Sequence, residues 1–329
     1  MTELTNKEIL LLAPSFYGYE NEIKDKLSLR ESKVHYYNVN PPASVGTFIG
    51  VLRNFSLPTR WVVECFENRL YSKINSQKYD YVIVICGWAV TSRLTSQIRR
   101  KLLAEKGKMI LYYWDSFERL KDDHKRWDDF DTIYTFDSHN YREYSDQINF
   151  LPLFYCDRYW NKNKDERVFD CMIIGSFRLD RLDYVKNIKL ANPNLNIKSF
   201  LYSKKWVILF HKILRKKYWR LNLSELEFRK LSSDEVVELY EKCNAVIDIP
   251  ANHQTGLTIR TFETLAMHKK LITSNENIAN YNFYDPNSIY IISEDCKLPN
   301  RNWFESPFSI SDVLIKKYSI DNWLNKLLS

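Results

Sequence analysis

The feature that most restricts the fold is a series of short, continuous apolar runs, each followed by a segment of helix length. Ile9–Ala13, Val34–Val39, Tyr81–Cys86, Met109–Tyr113 and Thr132–Phe136 occupy the first half. Phe169–Ile174, Asn196–Leu201, Ala245–Ile249, Lys270–Thr273 and Ser288–Ile292 repeat the rhythm in the second. A strand with one wet face alternates apolar and polar residues, and most of these runs do not. Apolar on both faces, they belong to a parallel sheet covered by helices on either side. Helical spacing fills the intervals at Glu20–Leu27, Thr91–Ala104, Leu179–Leu190 and Ile259–Met267. Ser232 or Ser233 is placed to cap a helix running to Glu241, with acids in its first turn.

One interruption divides the chain. CDRYWNKNKDERV, residues 156–168, is polar, charged and aperiodic. At about 150 residues per domain, 329 residues suit two domains. The reading is therefore α/β: an N-terminal Rossmann-like domain at 1–155, a linker at 156–168 and a second Rossmann-like domain at 169–310. The amphipathic stretch 311–329, carrying Trp323, is a C-terminal helix placed to pack back on the first domain. Two such open sheets are expected to face a cleft.

Composition narrows the classes. Aromatic residues make up 15% of the chain and hydrophobic residues 45%, which argues against disorder. No apolar run approaches the ~18 residues of a membrane span, and the first residues do not read as a signal peptide. Six scattered cysteines without a C-x-x-C pair read as reduced core thiols and not as a metal site. These features point to a cytoplasmic protein. The formal charge of +7 favours anionic partners such as nucleotide phosphates, acidic lipid or nucleic acid.

Glycine is scarce, at seven residues. Gly18, Gly87 and Gly175 fall at or just past predicted strand ends, and Gly256 lies between a strand and a helix. Open parallel sheets bind ligands outside the carboxyl ends of their strands, where glycine admits close backbone approach and helix N-termini attract phosphate. Neither G-x-G-x-x-G nor G-x-x-x-x-G-K-[ST] occurs, so dinucleotide-fingerprint and P-loop readings have no support.

The most informative segment is AVIDIPANHQTGLTIRTFETLAMHKKLITSN, residues 245–275: strand, polar loop, helix, strand. Thr255-Gly256-Leu257-Thr258 opens a helix bearing Arg260 and Glu263 on one face. That arrangement suits a diphosphate at the helix start, with Arg260 or the Thr258 hydroxyl as donors and Glu263 as acceptor for a ribose diol. The competing reading is an Arg–Glu pair on a solvated helix.

QTGLTIRTFETLAMHKKLITSN resembles the nucleotide-sugar site of GT-B glycosyltransferases, in particular those of bacterial capsule and lipopolysaccharide synthesis. The similarity extends to APSFYGYENEI, ILYYWDSF, YTFDSHNYREY and FLPLFY in the first half. The resemblance implies a hexosyltransferase-type enzyme that takes a nucleotide-diphosphate sugar as donor and a glycan or lipid-linked oligosaccharide as acceptor. It implies no further cofactor and no metal ion on the diphosphate. Many retaining members carry two glutamates eight positions apart; Glu263 matches the second, but Thr255 stands at the first, so retention of configuration is not implied. Gly175-Ser176-Phe177-Arg178-Leu179-Asp180-Arg181 resembles the basic loop after the first strand of the donor domain, where Arg178 or Arg181 would neutralise the leaving diphosphate.

The acceptor side is expected in the first domain, along the loop holding Tyr17, Gly18 and Tyr19. An inverting reaction needs a general base, and the candidates are Asp115, Glu20 and His139, with Asp137 nearby. Trp114 beside Asp115 would desolvate its carboxylate. Asp129-Phe130-Asp131 has the D-x-D spelling of metal-dependent GT-A enzymes, but the apolar strand follows these acids where that fold puts it before them. KKWVILFHKILRKKYWR, residues 204–220, interleaves basic and apolar residues and reads either as an interfacial helix on anionic lipid, peripheral to the inner face of the cytoplasmic membrane, or as a core-packed helix with a solvated basic face. A sugar-nucleotide epimerase on the same fold is the alternative among enzymes. A basic nucleic-acid-binding protein is the alternative of another class, although no recognition motif of that kind is present.

Overall fold

A computed structural model of the chain describes residues 4–40, 60–86, 89–115, 117, 123–162, 167–251 and 254–329. Gly46, Gly50 and Gly87 lie outside the described residues. The chain divides into two compact units. The first comprises Met1–Leu153, His253–Gly256 and Ile320–Ser329, and the second Phe154–Asn252 and Leu257–Ser319.

Among the described residues the first unit holds six strands: β1 (Glu8–Ala13), β2 (Lys33–Asn38), β3 (Tyr79–Ile85), β4 (Leu103–Tyr113), β5 (Thr132–Thr135) and β6 (Asn149–Phe150). They pair in the order β2-β1-β3-β4-β5-β6, every pairing parallel. Ile9 to Ala13 and Val82 to Ile85 have no exposure at all, which is why their sequence shows no alternation. On one face Leu10, Leu12, Val82, Val84 and Leu111 pack with Leu70, Ile74, Leu94 and Ile98 from the helices Arg60–Ile74 and Ser92–Lys101.

The C-terminal helix packs back on this unit, as expected. Trp323 of the helix Ile320–Leu327 stands edge-on to Tyr112 with ring centroids 4.9 Å apart. Asp321 bonds Lys26 at 2.6 Å, Arg30 donates to Asn325 at 2.9 Å, and the Tyr134 hydroxyl donates to the Lys326 carbonyl at 2.8 Å. The expected single helix over 311–329 is two helices, Asp312–Lys316 and Ile320–Leu327. The break has a local cause: the Tyr155 N–H takes the Tyr318 carbonyl at 3.0 Å and Ser319 forms a strand-like bridge with Tyr155, so the backbone leaves the helical path there.

The second unit holds β7 (Phe169–Ser176), β8 (Ile197–Tyr202), β9 (Cys243–Asp248), β10 (Lys270–Thr273) and β11 (Ile289–Ile291), in the order β11-β10-β9-β7-β8 and again parallel throughout. The helix Ser233–Glu241 starts at Ser232 with a full capping box to Glu235. The polar stretch after residue 155 is not simply a linker: Cys156 and Tyr159 are buried, and the Asn161 N–H bonds the Ala266 carbonyl at 2.8 Å.

Both sheets share one topology. In each, the first strand lies between the second and the third, so the direction of winding reverses between β1 and β3, and between β7 and β9. Such reversal points are where an open α/β sheet leaves a crevice beyond its strand ends.

Among the described residues no helix is long and apolar enough to cross a membrane. All six cysteines are unbridged; Cys65 is exposed and the other five are buried. Burial pushes the Cys86 and Cys243 thiols up to about 12. At neutral pH, iodoacetamide should therefore modify one thiol per native chain rapidly, mapped to Cys65 by peptide mass. A second rapid thiol would show that the core is looser than described. Trp323→Ala should cost about 3–5 kcal/mol in denaturant melts, because the cavity opens beneath Tyr112.

Candidate functional site

In the second unit the two loops at the reversal point are tied together by arginines. β7 ends in Gly175 and Ser176, and the helix Leu179–Ala191 follows at once. Arg181, in the first turn of that helix, donates to the Ile249 carbonyl from Nη2 at 2.7 Å and from Nε at 3.2 Å, and to the Ser176 carbonyl from Nη1 at 2.8 Å. Its side chain thereby spans from the end of β7 to the residue after β9. Gly175 makes this possible, since a Cβ there would lie 2.6 Å from the Arg181 Nη1. Arg178 pairs with Asp180 and donates to the Pro250 carbonyl at 2.9 Å, reinforcing the same junction. Ser176 is exposed beside them.

Three arginines and three carboxylates, Asp180, Asp248 and Glu263, converge here. Burial, then the neighbouring Arg178, pushes the Arg181 guanidinium below its usual range; Arg260 acts in the same sense and Asp248 in the opposite one. Arg178 and Arg260 thus both lie within Coulomb reach of Arg181 at the carboxyl ends of β7 and β9, next to the start of the helix Ile259–Ala266. Asp248, the last residue of β9, is a member of the site that sequence reasoning missed. It is buried and accepts from the hydroxyls of Thr258 and Thr261, at 2.5 and 3.3 Å. The Thr258 hydroxyl in turn accepts from the Arg260 N–H at 3.1 Å and caps the helix.

Glu263 differs from its expected presentation. Its side chain has 0% exposure, and its carboxylate takes Arg260 Nη1 at 3.1 Å and the Tyr159 hydroxyl. No surface of it faces solvent for a ribose in this conformation. Arg260 also lies over the Tyr240 ring, 5.4 Å from its centroid. Burial pushes both phenols, Tyr159 and Tyr240, above their usual range. The Arg–Glu pair is therefore neither a solvated surface pair nor a bare ligand contact, but the wall of a buried aromatic cluster.

Thr255 and Gly256 also differ. Asp137, 1% exposed in the first unit, accepts from the N–H groups of Thr255 and Gly256 at 3.2 and 2.9 Å and from the Thr255 hydroxyl. It also caps its own helix through the N–H groups of His139 and Asn140. The N–H groups aimed at a phosphate in the sequence reading are thus taken by a buried carboxylate. Gly256 is glycine because Phe136 lies against it: an added Cβ would sit 2.6 Å from Phe136 Cε2. Leu257 is buried.

Of the residues expected on the acceptor side, Tyr17, Gly18, Tyr19 and Glu20 follow β1 at the reversal point of the first sheet, Asp115 follows β4 and His139 lies after β5. Tyr17 (φ 55°) and Gly18 (φ 90°) after β1, and Cys86 (φ 51°) after β3, all take left-handed backbone. Such strain collects at functional sites. Phe16 packs against Trp114, centroids 5.8 Å apart, and against Tyr17 at 4.8 Å, giving an exposed aromatic edge beside the half-buried Asp115. Tyr19 is buried. Glu20 is 4% exposed and accepts from the Ser15 hydroxyl at 2.9 Å and the Phe16 N–H at 3.0 Å, so it fixes this loop. The His139 side chain is exposed. Asp129 and Asp131 are consumed structurally, by Thr95 and Ser96 and by Arg99 and the Met109 N–H.

No protein-family model and no curated protein sequence matches the chain. Solved structures do. The chain is similar to a glycosyltransferase from Rickettsia africae ESF-5, with TM-score 0.56 and 11% identity over 98% of this chain and 97% of that one. It is similar at TM-score 0.55 to the UDP-GlcNAc 2-epimerase of Methanocaldococcus jannaschii, with 9% identity over 98% and 99% of the two chains. The UDP-GlcNAc 2-epimerase of Neisseria meningitidis, in a structure bound to UDP-GlcNAc, also gives TM-score 0.55, with 11% identity over 98% and 99%. At these identities the likeness is one of fold: two Rossmann-like units of the GT-B type.

The two glycines differ in what alanine would cost. Gly256→Ala should lower stability by about 1–3 kcal/mol through overpacking on Phe136. Gly18→Ala, with open space around its Cβ, should cost about 1–2 kcal/mol through its left-handed φ alone. Urea melts measure both, and a neutral Gly256→Ala would mean that the loop is not held against Phe136.

Proposed function

We propose that the chain is a metal-independent glycosyltransferase that moves a sugar from a nucleotide-diphosphate sugar to a glycan or lipid-linked acceptor in bacterial surface-polysaccharide synthesis. The observation that carries this reading is the convergence of Arg178, Arg181 and Arg260 with a helix N-terminus at the reversal point of the second sheet. Guanidinium forks match phosphate oxygens bidentately. Charge develops on the leaving diphosphate as the glycosidic bond breaks, so donors fixed in advance by carbonyls at 176, 249 and 250 lower the barrier without reorganising. Arg178, the less deeply held of the first pair, is assigned the direct phosphate contact, and Arg181 its positioning.

The acceptor is assigned to the first unit. Phe16, Tyr17 and Trp114 offer ring faces of the kind that sugar rings pack against, and Asp115 stands beside them as the general base. Glu20, spent on Ser15 and Phe16, is the weaker candidate. UDP-GlcNAc 2-epimerases share the fold, and product identity separates the two activities.

A screen of nucleotide-diphosphate sugars against glycan and lipid-linked acceptors, with chromatographic and anomeric analysis, tests the reading. The expected outcome is a glycosidic product whose formation persists in EDTA. Arg178→Ala should lower kcat/KM about 10²–10³-fold while the chain stays folded. Asp115→Asn should abolish transfer without weakening donor binding, and full activity in that variant would remove Asp115 as base. Conversion of the donor sugar to its 2-epimer with no transfer would assign the chain to the other activity.

A further inference from the structure

The segment 204–220 carries an observation that the donor reading leaves unused. Residues Lys205–Leu214 form a helix, followed by a single 3-10 turn at Lys216–Tyr218. Trp206, Leu209, Phe210, Ile213 and Leu214 recur at three- and four-residue spacing, so they form one stripe along it. A surface helix of a globular protein turns such a stripe inward. Here it faces out: Trp206 is 57% exposed, Phe210 52%, Ile213 77% and Leu214 61%. The helix is instead anchored by Ile208, 1% exposed, which joins Leu182, Leu201, Leu221 and Leu226 in a small core. Beyond the turn, Trp219 is 61% exposed as well.

The charge around the stripe has one sign. Lys204 and Lys205 flank its start; Lys212, Arg215, Lys216, Lys217 and Arg220 flank its end, and the segment contains no acid. Among the described residues no ion pair involves any of these seven cations. Their field is felt locally, since His211, stacked on Tyr218 at 4.9 Å, is held below its usual range by burial and by Arg215 and Lys217.

We infer that this face docks the protein on the surface of an anionic lipid bilayer. The apolar stripe enters the boundary between headgroups and acyl chains, Trp206 and Trp219 lie at headgroup depth, and the basic residues meet lipid phosphates. The charge pattern selects this occupant over a second copy of the chain. A self-complementary contact would set seven cations against seven, with no acid in the segment to relieve them. The inference stands apart from the donor-site reading, because it needs no nucleotide and no activity.

Co-sedimentation of the full chain with phosphatidylcholine vesicles, with and without phosphatidylglycerol, tests it. Binding is expected only to the acidic vesicles and should weaken as salt is raised. Lys216→Gln with Lys217→Gln should reduce the partition coefficient about 30-fold, each basic residue being worth about 1 kcal/mol at such a surface. Phe210→Ser with Ile213→Ser, both exposed, should abolish vesicle binding while leaving the thermal midpoint unchanged. Absence of binding to acidic vesicles would overturn the inference. So would binding indifferent to the serine pair, or a dimer in sedimentation velocity that the serine pair dissolves, since the stripe would then be covered by a second copy.

Discussion

The carboxyl-end edge of the second unit's sheet depends on one partly buried cation. Arg181 places three hydrogen bonds on the carbonyls of Ser176 and Ile249, and so joins the ends of β7 and β9 where the sheet changes winding direction. Hydrogen bonds from a charged donor are worth about 1.5–3 kcal/mol each. Removing the guanidinium would leave those carbonyls without it and free the loop that Arg178 also grips through Pro250. The constraint propagates to the sequence: residue 175 is glycine because Arg181 lies against it. It also sets the electrostatics, because a cation pinned this way stays in place despite Arg178 and Arg260 nearby.

A carboxylate plays the matching part in the first unit. Asp137 takes N–H groups from its own helix and from Thr255 and Gly256, holding a loop from far along the chain against Phe136. At the same end of the strands, left-handed backbone at Tyr17, Gly18 and Cys86 re-aims the loops beyond β1 and β3. In both units, then, loops beyond the carboxyl ends of the strands are held by polar side chains, Arg178 and Arg181 in the second and Asp137 and Glu20 in the first.

Much of the fold was legible in the sequence, for physical reasons particular to it. Strands buried on both faces read as continuous apolar runs, and Ser232-Ser233-Asp234-Glu235 spelled its own helix start. Gly18, Gly175 and Gly256 were singled out for one shared reason where the structure supplies three: a positive φ, a crossing arginine and an adjacent phenylalanine ring. The site was legible only as a set of positions. That Asp137 would take the N–H groups at 255 and 256, or that Tyr159 would help to bury Glu263, depends on pairs more than a hundred residues apart, and no local pattern encodes them. Asp248 was hidden for a different reason, reading as one more member of an apolar strand. The break at Ser319 comes from a bridge to Tyr155 that periodicity does not register. The helix Lys205–Leu214 was legible in composition but not in orientation, since a stripe of that spacing suits core and surface equally until the fold chooses Ile208 as the anchor.

The central claim is that the arginine-lined reversal point of the second sheet is a diphosphate site. A crystal structure of the chain grown with UDP or GDP tests it most directly. The account predicts the two phosphates at the carboxyl ends of β7 and β9, within hydrogen-bond distance of Arg178 and in front of the Thr258 cap. A nucleotide seated instead beyond β1 and β3, or its absence from the arginine cluster at saturating concentration, would contradict it.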